Sequence, residues 1–291
     1  MNGILIIDKP KDITSRDVVD KVIKIFNTRK VGHTGTLDPL ATGVLVVCVG
    51  RATKLVEELT SNDKEYIASV TLGIKTDSLD RMGKVLFEED VIKTKEDIIN
   101  VLNSFKGSYE QEVPIYSAVK KNGKKLYEYA REGINIELPK RKVEIKDIEL
   151  LEDIEYKNNK TSFKFRCVVS KGTYIRSLIN DIAYRLDTIG IMTNLRRTRQ
   201  GNFKIEDSIK LENINNSDLK PIEDVLPYKK INITEDIRKK VLNGAKVDNI
   251  YNEDKILFMD GEEVVALYKV TEDKSKLKSY IMFRGGIIWH L

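Results

Sequence analysis

Apolar residues run without interruption at residues 4–7 and 44–49, as expected of short strands buried on both faces. Asp8-Lys9-Pro10 ends the first run and opens a loop. The next spacing is helical. Thr14, followed three residues later by Asp17, has the form of a capping box, and Val18, Val19, Val22, Ile23 and Phe26 recur on one face; a helix reaching about Lys30 is predicted. Alternation marks residues 64–74, where Tyr66, Ala68, Val70, Leu72 and Ile74 share a side, and residues 163–169. Both predict half-buried strands. Ile175, Leu178, Ile179, Ile182, Ala183 and Leu186 then predict a helix that starts near Thr173.

These elements lack the regular strand-helix-strand alternation of a parallel α/β fold. The predicted class is therefore α+β, with a mixed, largely antiparallel central sheet flanked by helices. Residues 221–227 form a proline-bounded, helix-poor passage, and the chain beyond reads as short strands with turns at Asn243-Gly244, Asp260-Gly261 and Gly285-Gly286. This predicts a large domain at residues 1–228 and a small β-rich domain at residues 229–291.

Composition narrows the function classes. With 41% hydrophobic and 33% charged residues in a chain of 291, the protein is folded rather than disordered. Cys48 and Cys167 lie far apart in apolar runs, and His33 and His290 have no partner at ligand spacing, so no disulfide framework and no metal are expected, and the compartment is expected to be reducing, hence cytoplasmic. The opening apolar run is too short for a signal peptide core or a membrane span. The net charge of +5 is a mild bias toward polyanions, but its distribution is uneven. Residues 116–146 hold nine basic against four acidic residues, and residues 191–204 hold Arg196, Arg197, Arg199 and Lys204 with no acid. Either stretch suits phosphate contacts or a solvated surface.

Between the first helix and the second apolar run lies VGHTGTLDPLATG, residues 31–43. It sets one carboxylate, Asp38, before a proline and between glycines, which serves either a rigidly held reactive group or an ordinary turn. No GxxxxGK[ST] and no GxGxxG after a strand occurs, which disfavours ATP and dinucleotides.

At this loop the chain resembles a known family. GHTGTLDPLATGVL is similar to the signature of the bacterial tRNA pseudouridine-55 synthases, the TruB family, and ILIIDKPKDITS, KEYIASVTLGIKTDSLDRMG, YSAVKKNGKKLYEYAREG, SKGTYIRSLINDIA and LRRTRQGNF follow the family order. The likeness spans roughly residues 3 to 210, and residues 229–291 resemble a small RNA-binding domain of the PUA type. Asp12 stands where the family often has Gly, and Val113-Pro114 where it has Pro-Pro; both are expected to bear on loop stiffness and neither on the chemistry.

The resemblance implies isomerisation of the T-loop uridine of tRNA to pseudouridine without any cofactor, by a stand-alone monomer with no obligatory protein partner and no membrane association. It implies that Asp38 is the nucleophile, attacking uracil C6 or ribose C1′ or assisting a glycal route. A carboxylate shielded from water needs a nearby cation to stay ionised, and Arg176 matches the family residue that pairs with it. Tyr66 matches the tyrosine stacked on the flipped base, with a part in moving the C5 proton open to it; Tyr174 and Leu195 match pocket residues, and His33 the histidine that fills the vacated place. Lys120 to Lys146, in a basic lobe at about residues 113–146, and Arg196 to Arg199 are then candidates for phosphate contacts. Two further readings stand beside this one: an enzyme working inside a guide-RNA particle, and an RNA-binding protein whose site is vestigial.

Overall fold

A computed structural model describes residues 1–284; the Gly285-Gly286 turn and His290 lie outside the described residues. The two apolar runs are β1 (Gly3–Lys9) and, after a short β2 (Val31–His33), β3 (Thr42–Val49). β1 and β3 pair antiparallel from Gly3 opposite Val49 to Lys9 opposite Gly43. Their sequence is continuous because both faces are covered: Leu45, Val47 and Val49 enter one core, and Val44, Val46 and Cys48 another.

The main sheet continues with β4 (Lys64–Leu72), β5 (Gly107–Glu112), β6 (Lys140–Leu150), β7 (Lys160–Val169), β8 (Gly190–Gln200) and β9 (Ile209–Lys210). Its order is β9-β1-β3-β8-β4-β7-β6-β5, with β2 and two short strands completing eleven. Within it β1–β9 and β3–β8 run parallel and the remaining pairs antiparallel, which bears out the predicted class. The helices around the main sheet are α1 (Ser15–Phe26), α2 (Lys95–Ser104), α3 (Leu126–Arg131) and α4 (Ile175–Arg185); residues of α1, α2 and α4 fill the first core, and single helical turns also form at Val56–Thr60 and at Ile222–Val225, inside the passage predicted to be helix-poor.

Several boundaries differ from the sequence prediction. The capping box of α1 is present, with the Asp17 N–H on Thr14 Oγ1 at 3.1 Å and the Thr14 N–H on Asp17 Oδ2 at 2.8 Å. The helix ends at Phe26 because Asn27 turns left-handed, with φ 46°. The alternating strand stops at Leu72, since Gly73 (φ 84°) breaks it and Ile74 starts a separate hairpin. Thr173 donates its hydroxyl to the Ser170 carbonyl at 2.9 Å and caps nothing, so α4 begins only at Ile175.

Between β5 and β6 the chain leaves the sheet at Val113 and returns at Pro139, where the Val113 N–H meets the Pro139 carbonyl at 3.0 Å. This lobe carries a lysine hairpin (residues 120–125) and α3; residues 140–146 of the basic stretch belong to the sheet. A second sheet follows: β10 (Lys229–Asn232), β11 (Val247–Asp248), β12 (Lys255–Asp260), β13 (Glu263–Val270) and β14 (Lys276–Met282), in the order β10-β12-β13-β14-β11. Asp260-Gly261 is its hairpin turn, pairing Asp260 with Glu263. Asn243-Gly244 instead closes an unforeseen helix, α5 (Glu235–Leu242). Leu257, Met259, Val264, Leu267 and Phe283 close over Ile4, Ile6, Val44, Val46 and Cys48, so the second sheet shares a core with the first. Among the described residues no helix is long and apolar enough to cross a membrane.

Candidate active site

The loop that carries Asp38 is anchored on both sides. Leu37, Leu40 and Ala41 are buried in the first core, which leaves Asp38 to project from a fixed backbone. Ser15, at the start of α1, accepts the Leu37 N–H at 2.8 Å and donates to the Leu37 carbonyl at 3.1 Å. The Pro39 carbonyl accepts the Asp12 N–H at 2.8 Å. Asp12 has φ 68°, the left-handed region where glycine is at ease. The departure from the family's glycine therefore lies in a residue that is bonded to the backbone of the Asp38 loop, where it bears on loop stiffness. At the far end Gly43 (φ 101°) lets β3 approach β8: a Cβ there would fall 2.2 Å from the Arg197 carbonyl oxygen. Residues 31–33, predicted as loop, are β2, paired with β3 through His33 opposite Val47.

All six residues singled out from the sequence line one cleft of about 540 Å³: His33, Asp38, Tyr66, Tyr174, Arg176 and Leu195. Register explains part of this convergence. On β4, Tyr66 faces Arg197 of β8, and Ala68 faces Leu195. Arg176 lies in the first turn of α4; its Nε meets Asp38 Oδ2 at 3.0 Å, and its Nη2 donates to Asp38 Oδ1 at 3.3 Å. The remaining donors reach the Ser78 carbonyl at 3.1 Å and the Tyr116 carbonyl at 3.0 Å. The arginine side chain is 6% exposed and the aspartate 35%, so the cation is sealed behind a carboxylate that opens to the cleft. Such a two-point pair fixes both position and charge of the carboxylate.

His33 Nδ1 accepts the Gly35 N–H at 3.3 Å, and burial, reinforced by Arg197 and Arg16, lowers its pKa, which favours the neutral ring. The lobe supplies one wall through Tyr116, Ser117, Ala118 and Tyr127. Sequence reasoning missed the carbonyl partners of Arg176, because a backbone oxygen leaves no signature, and it missed Lys64, which lines the cleft with Nζ on the Thr60 and Asn62 carbonyls. Ser117 Oγ is buried without a hydrogen-bond partner among the described residues.

The basic stretches divide. In the second, Arg196 pairs with Asp8 at 2.8 Å, Arg199 approaches Glu65 at 3.8 Å, and Arg197 is buried, bonded to the Val44 and Gly35 carbonyls. Arg197 is thereby out of reach of an external phosphate, whereas Arg196 and Arg199 are paired but partly exposed. In the first, Lys121, Lys124 and Lys146 are paired with Glu137, Glu132 and Asp63. Lys120, Lys125, Arg131, Lys140, Arg141 and Lys142 have no carboxylate within 4.0 Å among the described residues and remain available to an external anion.

Comparison with known proteins agrees with this geometry. Residues 23–175 match the model of the TruB family pseudouridylate synthase N-terminal domain, and residues 176–226 that of the tRNA pseudouridylate synthase B C-terminal domain. The second match takes in Arg176 of α4 and Leu195 of β8, so the cleft draws on both. The chain is 44% identical to tRNA pseudouridine synthase B of Lactobacillus acidophilus, over 95% of this chain and 96% of that protein. It is 43% identical to the one of Staphylococcus aureus, over 97% and 99%. Among solved structures it resembles a chain of an H/ACA RNP bound to a substrate RNA containing 2′-deoxyuridine, at 28% identity and TM-score 0.70, covering 98% of this chain and 86% of that one. A Cbf5-Nop10-Gar1 complex contains a similar chain, at 29% identity and TM-score 0.70, covering 97% and 85%.

Proposed function

The chain belongs to the TruB family of pseudouridylate synthases and acts as a tRNA pseudouridine synthase on the T-loop uridine, and we propose that Asp38 is its nucleophile, held ionised and aimed by Arg176. The observation that carries this assignment is the pair itself: a buried guanidinium behind a carboxylate open to a cleft wide enough for a nucleotide. The reaction breaks the glycosidic C1′–N1 bond, turns the base, forms the C5–C1′ bond, releases the C5 proton and leaves a proton on N1, so it consumes no redox equivalent and no phosphate bond. Asp38 attacks C6 or C1′ or assists a glycal route; the three share the requirement for one ionised carboxylate at the sugar-base junction.

The base reaches Asp38 only after leaving its stack. Tyr66, Tyr174 and Leu195 offer flat and apolar surface to the everted uracil, and neutral His33 stands at the position suited to the place it leaves. The unpaired cations of the lobe receive RNA phosphates. The second sheet acts as a PUA-like RNA-binding domain, and the enzyme works in the cytoplasm as a monomer without an obligatory protein partner. Curated relatives matched over 96% and 99% of their length are named for tRNA, which supports tRNA as the substrate.

The test is tritium release from a T-stem-loop RNA labelled at C5 of its uridines, with no cofactor added. Wild type is expected to release label, while Asp38→Ala binds the RNA and releases none. Binding by wild type without release would leave a vestigial site as the reading.

A further inference from the structure

The strand leading into the lobe carries, one residue before its end, a buried glutamine that the reaction scheme leaves without a task. Gln111, on β5, is fully buried. Its carboxamide meets the peptide of Tyr174 at two points: the Tyr174 N–H donates to Oε1 at 2.7 Å, and Nε2 donates to the Tyr174 carbonyl at 3.1 Å. The other Nε2 hydrogen goes to the Tyr109 hydroxyl at 2.7 Å, which in turn donates to Asp181 Oδ2 at 3.2 Å. A side chain that offers one donor and one acceptor to a single residue imitates a neighbouring strand. Because Tyr174 presents one of each, the carboxamide fits in one orientation only.

Tyr174 is the N-cap residue of α4, just before Ile175. It has φ −100° and ψ 115°, and no side chain caps the helix there, so the entry of the chain into its first turn is held by Gln111 from outside the helix. Asp181, two turns further on, ties α4 to the same strand through Tyr109. Two residues past Tyr174 stands Arg176, whose guanidinium meets Asp38.

We propose that Gln111 is a positioning residue for the isomerisation: its clamp on the Tyr174 peptide sets the first turn of α4, so that the Tyr174 ring lines the cleft and Arg176 meets Asp38. This rests on the assignment of Asp38 and Arg176 given above. Gln111 is fully buried and its carboxamide bonds Tyr174 and Tyr109, while Arg141, a cation without a carboxylate partner among the described residues, is its register neighbour on β6, so its loss is expected to act on alignment more than on docking. Misplacement of a reacting group by about 1 Å costs on the order of a hundredfold in rate.

The experiment measures single-turnover tritium release and, separately, RNA affinity, for wild type, Gln111→Met, Gln111→Glu and Asp38→Asn, with a thermal melt of each protein. Gln111→Met keeps the shape and removes both bonds; its rate is expected to fall about a hundredfold while Kd stays within roughly threefold. Gln111→Glu keeps the acceptor for the Tyr174 N–H and loses the donors, so its rate should lie between that of Gln111→Met and wild type. Should Gln111→Met melt below the assay temperature, Gln111→Glu decides alone. A rate within about twofold of wild type in a folded variant, or rate and affinity that fall together, overturns the proposal. Asp38→Asn defines the background, and release by Asp38→Asn at the wild-type rate would remove the assignment beneath the proposal, not the clamp itself.

Discussion

At the scale of single residues, the cleft separates charge that is paired from charge that is merely enclosed. Arg176 belongs to the first kind, and its purpose is electrostatic placement of Asp38. Arg176→Ala is expected to lose most turnover while RNA affinity stays within about tenfold of wild type, because no docking phosphate is assigned to it; filter binding beside single-turnover release checks this, and loss of binding alone would contradict it. Lys9 and Lys64 belong to the second kind. Each is buried with its ammonium on backbone carbonyls and no carboxylate in contact. Burial lowers Lys64 to about 8, with repulsion from Arg197 adding to it, and burial lowers Lys9 to about 8 against the attraction of Asp38. The unfolded chain returns both toward the ordinary lysine value near 10.4. Between about pH 8 and that value the unfolded state binds more protons, so stability rises with pH across the window, and below it the full cost of the buried charges is present. Denaturant midpoints taken at pH 7 and 9.5 should therefore increase for wild type and increase less for Lys64→Met. Equal rises would mean that Lys64 is not held charged in a buried place.

At the scale of elements, α1 and the β3–β8 pair build the loop that presents Asp38. Ser15 is the link, because its hydroxyl satisfies both the backbone N–H and the backbone carbonyl of Leu37. Ser15→Ala leaves the Leu37 N–H without this partner inside the core, at an expected cost of about 1–3 kcal/mol. Urea denaturation measures that loss, and a slower turnover at unchanged RNA affinity should accompany it. Gly43→Ala is expected to do more damage, since the new Cβ collides with the Arg197 backbone and forces apart the parallel pairing of Thr42 and Gly43 with Arg196 and Arg197; a fall in the thermal midpoint of many degrees is the outcome to look for. How much of this was readable beforehand follows from where information sits in a chain. Thr14 and Asp17 announced the start of α1, and alternation around Tyr66 announced β4, because local pattern encodes local structure. The convergence of Tyr66, Leu195 and Arg176 depends on strand register and helix placement, and only the family resemblance brought those residues together in advance. The end of β4 at Gly73 and the helix at Glu235–Leu242 were missed for different reasons. A lone glycine in an alternating run signals a break only once its φ is known. The second carried signals that were overlooked: Thr234 before Glu235 and Asp236, Lys239 and Lys240 in the last turn, and Gly244 just past the end.

At the scale of the whole molecule, the apolar side of β1 and β3 decides how independent the two sheets are. Ile4, Ile6, Val44, Val46 and Cys48 are each at most 5% exposed, and Leu257, Met259, Val264, Leu267 and Phe283 cover them. Polar contacts rim this core: Glu58 receives the Tyr228 hydroxyl at 2.5 Å and the Tyr280 hydroxyl at 3.1 Å and pairs with Lys255, while Arg51 pairs with Glu263 at 2.9 Å. A module that served only to touch RNA would detach without harm to the sheet beneath it. Here detachment uncovers a row of side chains from the two strands that frame the Asp38 loop, and apolar surface exposed in that way is unfavourable by roughly 25 cal/mol per Å². A chain ending at residue 228 is therefore expected to melt at a lower temperature and to lose turnover through the Asp38 loop as well as through weaker binding. Cys48 reports the change directly. Burial raises its thiol to about 12 and Cys167 higher still, so neither reacts in the intact chain near pH 8. Titration with a colourless disulfide that yields a coloured thiolate should find no fast-reacting group in the full chain and one in the shortened chain. If the shortened chain keeps Cys48 as protected as before and melts at the same temperature, the two sheets are independent units, and the shared core contributes nothing to holding the active-site loop in place.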